Sequence, residues 1–291
     1  MKQLSTISIL FLLSLTMQAS AEPLTAKQIM QQVSDRDDGT TAMSTIKLLT
    51  CNYVIKNKTT RCNNKPRIKQ LESIRKDFGP AEKDHKTLSI LLKPANEKGI
   101  AFLQYDYEQQ GKESDQWMYL SALGKIKRII SGSSNEPKKG SFFGTEISYE
   151  DIESRHINDY TYKIMAEEVY QKRPCWVIET TPKKQRAKKS NYSKSLNWID
   201  KERMIALKII LFDRGGNKIK RITNYKIRKQ QNIWLISKML VNNLQNKRMT
   251  LMSINSTIIN LPIQDNILTT RTLTDKSFRE TSLIKLRQKT Q

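Results

Sequence analysis

The side chains able to do chemistry are few and scattered. His85 and His156 are the only histidines in the 291-residue chain. One stands between Asp84 and Lys86 and the other follows Arg155, so a multi-histidine metal centre lacks its raw material. No His-Glu-x-x-His, Cys-x-x-Cys, Gly-x-Gly-x-x-Gly, P-loop or Gly-x-Ser-x-Gly spacing occurs. The carboxylate pairs Glu150-Asp151 and Glu167-Glu168 are sequence neighbours, which rarely converge on one substrate. Glu150 and Asp151 open a short expected helix, where acids complement the helix dipole. The expectation is a binding protein rather than an enzyme, with no catalytic residue, metal or cofactor.

Sulfur chemistry is confined to three cysteines. Cys51 and Cys62 flank a segment that reads strand, turn, strand. A turn centred on Lys56-Asn57 would set them directly opposite each other, within disulfide range at a non-hydrogen-bonded pair; two free thiols are the alternative. Cys175, in Cys175-Trp176-Val177-Ile178, reads as a buried structural thiol, with a reactive one as the alternative.

The elements that must position these groups are mostly strands. Thr25 with Gln28 makes a capping-box pattern ahead of Ile29, Met30 and Val33, so a helix is expected over 25–33. After Asp38-Gly39 the pattern turns to strands, near 43–55, 59–76, 86–93, 99–108, 115–120 and 125–130. A second series falls near 159–168, 174–181, 193–200, 204–213, 217–229, 232–242 and 248–259, with Gly, Pro and Asn turn signals between. Such regular spacing predicts antiparallel meanders in a barrel or strongly curved sheet. Residues 131–146 read as a flexible insertion, followed by a short helical piece over 149–155. No linker splits the chain, so 22–274 reads as one domain and 275–291 as a frayed basic tail.

Several strands are apolar on both faces. Trp117 and Tyr119 share one face while Met118 and Leu120 share the other, and the run Ile209 to Phe212 has no polar side. Such a sheet needs two coverings. One is packed core; the other is a second protein layer or a greasy ligand.

Met1-Lys2, the apolar run Ile7 to Leu15 and Ala19-Ser20-Ala21 form a secretory signal pattern, with cleavage expected after Ala21. The alternative, an uncleaved anchor, is short of the roughly 20 apolar residues needed to span a membrane. The rest of the chain would then be periplasmic in a Gram-negative source. The formal charge is +23 and the pI about 9.9. Export argues against nucleic acid, as does the densest basic run, Lys183 to Lys189, which contains no aromatic. Anionic lipid head groups or an acidic protein surface suit the charge better, and a plain solvated loop is the alternative for that run.

Particular blocks then match a known pattern. Asp115-Gln-Trp117-Met-Tyr119-Leu120-Ser-Ala122-Leu123-Gly124-Lys125 with Arg128-Ile129 resembles a signature of outer-membrane lipoprotein-sorting-like proteins, exported relatives of the lipoprotein carrier superfamily. Ser141-Phe142-Phe143-Gly144-Thr145-Glu146 and Tyr149-Glu150-Asp151-Ile152 resemble the next blocks. Pro174 to Glu179, Trp198 to Glu202, Phe212-Asp213-Arg214 and Thr269 to Leu273 follow in the family's order. Departures are Ser121 for the usual proline, Phe143 for methionine, Leu268 for phenylalanine, and Lys247-Arg248-Met249 where a histidine is usual.

The resemblance implies a mainly β fold with some α: a strongly curved antiparallel sheet, a half-open barrel closed by short helices over an apolar cavity. It implies a carrier for lipid or acylated lipoprotein, with a resistance-nodulation-division (RND) type inner-membrane transporter as a possible partner. A lipid-sensing module bound to a membrane signalling protein is the alternative. Burial of an acyl chain contributes roughly 0.8 kcal/mol per CH₂ and needs no polar chemistry. Trp117, Tyr119, Phe142, Phe143, Trp198 and Leu211 are the expected cavity or mouth residues, each with plain core packing as the competing role. Residues 131–144, tipped by Phe142-Phe143, are the expected gate, with simple loop decoration as the alternative.

Overall fold

A computed structural model of the chain describes residues 22–57, 59–79, 81–131 and 136–288. The expected signal segment, 1–21, lies outside these. At Thr25 the capping box is formed: Oγ1 accepts from Gln28 N at 3.3 Å and Thr25 N donates to Gln28 Oε1 at 2.8 Å. Helix α1 then runs Ala26–Ser34.

Two meanders follow. The first comprises β1 (Thr41–Lys56), β2 (Thr59–Cys62), β3 (Arg67–Phe78), β4 (Asp84–Lys93), β5 (Ala101–Asp106), β6 (Asp115–Leu120) and β7 (Lys125–Ile129). The second comprises β8 (Tyr160–Tyr170), β9 (Arg173–Pro182), β10 (Tyr192–Asp200), β11 (Ala206–Asp213), β12 (Lys218–Gln230), β13 (Ile233–Asn243) and β14 (Arg248–Ile259). Between β9 and β10 lies α2 (Lys184–Lys189), and α3 (Thr270–Thr274) and α4 (Lys276–Gln288) end the described chain. The strand expected over 59–76 is divided into β2 and β3 by Asn63 to Pro66, where the Asn64 side chain accepts from Asn52 N at 2.9 Å.

The two meanders join where β1 pairs with β14, Leu48 opposite Met252. The result is one antiparallel sheet in the order β7-β6-β5-β4-β3-β1-β14-β13-β12-β11-β10-β9-β8, with β2 on β1 alone. It is open, because its edges β7 and β8 do not pair. Those edges are sequence neighbours, so the connection 130–159 has to cross from one to the other over the concave side. This single topological fact dictates what fills the inner face.

Sulfur bonding joins Cys51 and Cys62, with Cα atoms 5.7 Å apart. The two are not directly opposite as expected: Lys56 pairs with Thr59 and Tyr53 with Cys62. Asn57 takes a left-handed conformation (φ 50°), which asparagine tolerates, and moves the turn one residue along. Cys51 therefore reaches Cys62 diagonally. Cys175 is free and buried.

Both sheet faces are covered, each by a different segment. On the outer face of β3 to β6, Leu88, Ile90, Ala101 and Leu103 pack against Leu261, Leu268, Leu273, Leu283 and Leu286. The tail is thus not frayed over 276–288. Asp275 accepts from Phe278 N at 2.9 Å and starts α4, and Arg279, Leu283 and Leu286 form its buried stripe. On the inner face α1 covers Ile178 and Ile199 with Ile29, and the crossing connection covers the rest. No helix among the described residues is long and apolar enough to cross a membrane.

Candidate functional site

The crossing connection does not behave as the flexible insertion expected over 131–146. Residues 132–135 lie outside the described chain, but Lys138 is buried and most of 142–150 belongs to the core. Phe142, Phe143, Ile147 and Tyr149 are buried among Ile46, Leu48, Leu71, Phe102, Leu211, Ile222 and Val241 of the inner face. The Phe102 ring meets Phe142 edge-on at 5.4 Å and stacks on Tyr149 at 5.8 Å, while Phe142 and Phe143 lie 4.4 Å apart. Gly140 (φ 111°) allows this approach, since a Cβ there would stand 2.7 Å from Tyr149 Cε2. Phe143 is held in the left-handed region (φ 49°), a strained setting for a bulky residue. Its carbonyl accepts from Lys69 Nζ at 2.9 Å.

Charge pairs bolt this wedge to the sheet. Lys138 meets Glu153 at 2.7 Å, Arg248 meets Glu146 at 3.2 Å, Arg186 meets Glu150 at 3.0 Å, and Lys220 pairs with Asp151. Glu150 also accepts from Asn191 N at 2.7 Å and Asn191 Nδ2 at 2.8 Å, and Asp151 from Tyr192 Oη at 2.7 Å. Buried charges persist only when paired and hydrogen-bonded to this degree. Glu150 and Asp151 are therefore not dipole-complementing helix residues; their helical turn is only Glu150–Ile152, too short for that. They are the anchors of the wedge. Burial, reinforced by the Asp151 charge, pushes the Tyr192 hydroxyl well above its ordinary pKa, so it stays a donor. Within the basic run, Arg186 turns inward to Glu150 and Tyr160 instead of facing solvent.

The wedge leaves one part of the inner face uncovered. Beside it lies a cleft of about 350 Å³, partly open to solvent. Ile46, Phe102, Phe142, Ile152 and Met252 form its apolar side. Its other side is polar, because the inward residues of β3, β4 and β5 change character along the strands. Ser73 pairs across with Ser89, Arg75 with Thr87 and Asp77 with His85; Thr87 in turn faces Gln104, and His85 faces Asp106. Directly opposed residues share a face, so these form lanes running from an apolar centre to a charged rim.

The rim is densely hydrogen-bonded. Arg75 donates to Asp38 Oδ1 at 2.9 Å, to Asp38 O at 3.0 Å and to Gly39 O, and lies 3.3 Å from Asp77. His85 Nδ1 is 2.8 Å from Asp77 Oδ1. That hydrogen bond raises the histidine pKa against the opposing effect of burial. Asp106, buried, accepts from Gln104 at 2.6 Å, Ser154 N at 3.3 Å and Ser114. A second, polar cleft of about 390 Å³ shares Asp38 and His85 and also reaches His156. Among the described residues no set of His, Cys, Asp or Glu is arranged to hold a metal ion.

Of the six expected cavity residues, Phe142 lines the cleft. Phe143 and Leu211 are buried in the packed inner core. Trp117 and Tyr119 point to the outer face, against the C-terminal cluster, with Trp117 5.0 Å from Tyr105. Trp198 also points outward: it alternates with Ser195 and Asn197, packs with Cys175, Val177 and Leu207, and donates to Glu168 at 2.7 Å. These three are corrected to structural roles. Of the cleft residues that sequence reading missed, Ile46, Phe102 and Met252 carry no motif, and Ile152 closes the Tyr149-Glu150-Asp151-Ile152 block without marking itself as a lining residue. The one available trace was the alternation Ser73-x-Arg75-x-Asp77, His85-x-Thr87-x-Ser89 and Gln104-x-Asp106, which marks a shared polar face.

A larger hollow of about 680 Å³ lies against α3 and α4, lined by Pro262, Ile267, Phe278 and Leu286 together with the polar Gln264, Asn266, Arg271 and Asp275. It is on the outer side of the sheet, away from the inner face.

Comparison with known proteins places this geometry. A family model described as "uncharacterized protein"-like matches residues 83–275. No curated protein matches. The structure of a DUF1329 family protein from Desulfovibrio piger is similar with a TM-score of 0.75 at 21% identity, over 85% of this chain and 97% of its own. An outer membrane lipoprotein-sorting protein domain from Vibrio parahaemolyticus gives 0.73 at 24%, over 86% and 98%. A LolA superfamily protein from Nitrosomonas europaea gives 0.60 at 15%, over 85% and 98%. At these identities the likeness is one of fold.

Proposed function

This chain belongs to the family whose model spans residues 83–275, and from a fold shared with an outer membrane lipoprotein-sorting protein domain and a LolA superfamily protein we propose that it is a non-enzymatic periplasmic carrier for an acyl chain. The cargo is a lipid or the lipid anchor of a lipoprotein, and the inner cleft shelters its tail. The observation that carries this is the cleft itself: five apolar side chains, Ile46, Phe102, Phe142, Ile152 and Met252, face a space that the anchored wedge leaves open. At about 350 Å³ it is at the small end of the usual range of roughly 300 to 1,000 Å³ for ligand sites. It suits one chain better than several. Each methylene buried there contributes roughly 0.8 kcal/mol. Loading or unloading at an RND-type transporter or at an anionic membrane fits a basic, exported carrier.

Extraction of gently purified protein, followed by mass spectrometry, should recover acyl-bearing molecules, and the emptied protein should take up diphenylhexatriene, a fluorescent hydrocarbon probe. A preparation with no lipid and no probe uptake would remove the carrier reading.

A further inference from the structure

The polar side of the cleft specifies more than a tail. We infer that the cleft selects amphiphiles with a cationic, amine-bearing head over those with an anionic head. This deepens the carrier reading and rests on it.

The chain as a whole is strongly basic, at +23, so an anionic head would be the first guess for any ligand. The cleft reverses that balance. The charged side chains at its polar end are Asp38, Asp106, Arg75 and His85, with Asp77 directly behind the last two. No lysine lines it. Arg75, its one permanent cation, already serves Asp38, Asp77 and the Gly39 carbonyl, so its fork has no face left for a phosphate or carboxylate. Three carboxylates therefore stand against Arg75 alone, and a protonated His85 still leaves an excess negative charge. The adjoining cleft repeats the imbalance, with Asp35, Asp37, Glu82 and Glu108 against Arg36, Lys83 and Arg155.

Asp106 is the focus of this excess. It is 5% exposed, lines the cleft and makes no ion pair among the described residues; its three donors are an amide, a hydroxyl and a backbone N–H. An ionised carboxylate offers about four acceptor positions, so one remains for a ligand. An ammonium head would supply both the missing donor and the missing positive charge. Ser73, Thr87, Ser89 and Gln104 lie between Asp106 and the apolar end, which spaces the head from the tail. An anionic head placed here would face Asp38, Asp77 and Asp106 with no free cation to answer it.

The test is competition at pH 7 between protein-bound diphenylhexatriene and three sixteen-carbon ligands: hexadecylamine, palmitate and hexadecyl phosphate. The amine should displace the probe at concentrations at least tenfold below either anion. Asp106→Asn should bring that ratio to within about threefold. Asp38→Asn, at a position whose side chain is 44% exposed, frees part of the Arg75 fork and should shift the ratio toward the anions. Equal or tighter displacement by palmitate or hexadecyl phosphate overturns the inference while leaving the carrier reading intact. So does an amine preference that survives both substitutions. Failure of the protein to take up the probe at all overturns both.

Discussion

His85 and Ile152 show how single side chains decide the behaviour of the cleft. His85 gains a hydrogen bond to Asp77 on folding, and its pKa rises above the ordinary value near 6.5. A raised folded pKa means that the pair stabilises fully below the unfolded value, and that this is lost as pH rises through the folded value. Asp106 adds to the rise and Arg75 opposes it. Urea unfolding from pH 5.5 to 8.5 should thus show stability falling with rising pH in the native chain. In His85→Gln that component of the slope should vanish; an unchanged slope would place the titration elsewhere. Ile152 tests the space instead of the charge. It is half-buried on the cleft wall, so Ile152→Trp should fill the cleft from its open side. Uptake of diphenylhexatriene should fall at least tenfold with a melting temperature changed by no more than about 3 °C, since one half-buried side chain carries little of the stability. Unchanged uptake would mean the probe sits somewhere else.

At the scale of elements, the wedge Ser141 to Ile152 is a fixed wall and not a lid. Phe142 N donates to Ile147 O at 2.8 Å, Thr145 N to Phe142 O at 3.1 Å, and Glu146 N to Thr250 Oγ1 at 2.9 Å. Amide exchange at these positions should therefore be as slow as in β5 and β14. Fast exchange would restore the gate that the Ser/Gly-rich composition suggests. Asp151→Asn, which leaves Lys220 buried without a countercharge, should cost about 3–5 kcal/mol in unfolding free energy. The strands themselves were legible because apolar alternation and turn residues are local properties; β6 and β14 have the expected bounds and most others lie within two or three residues. What stands on each face was not legible. On β10 the tryptophan of Ser195-Leu-Asn197-Trp198 looks like the cavity residue. Yet Asn197 is the inward one, because its amide reaches Ile178 O at 3.0 Å and Thr180 at 3.1 Å under the covering layer. Alternation states which residues share a face. Only the path of the covering segments, fixed by long-range pairing of β1 with β14, states which face is inside. The C-terminal helix was missed for the same reason: its three-residue stripe becomes core only where Leu88 and Leu103 are already waiting for it.

At the scale of the whole molecule, charge is distributed against the composition. Even if each of the 28 carboxylates neutralised one cation, 23 of the 51 lysines and arginines would still lack a carboxylate partner. Many of the acids are spent on the wedge and on the rim of the cleft. That leaves exposed basic stretches elsewhere, at Lys125 and Lys127 on the β7 edge and at Lys226, Arg228 and Lys229 toward the β12–β13 turn. The molecule thus has an acidic mouth in a basic body. An anionic membrane would attract the body by many weak contacts, each worth at most about 1 kcal/mol near the surface, while repelling the mouth. Such attraction is long-ranged at low ionic strength and is screened within about 10 Å at 0.1 M salt. Co-sedimentation with vesicles containing phosphatidylglycerol should be strong at 20 mM salt and should fall at least tenfold by 300 mM, with little binding to phosphatidylcholine alone. Reversal of Lys226, Arg228 and Lys229 to glutamate should weaken it further, without altering uptake of a hydrocarbon probe. Binding that ignores salt would mean that an apolar surface and not the basic body meets the membrane; the exposed Ile164, Met165 and Val169 on the β8 edge would then be the place to look.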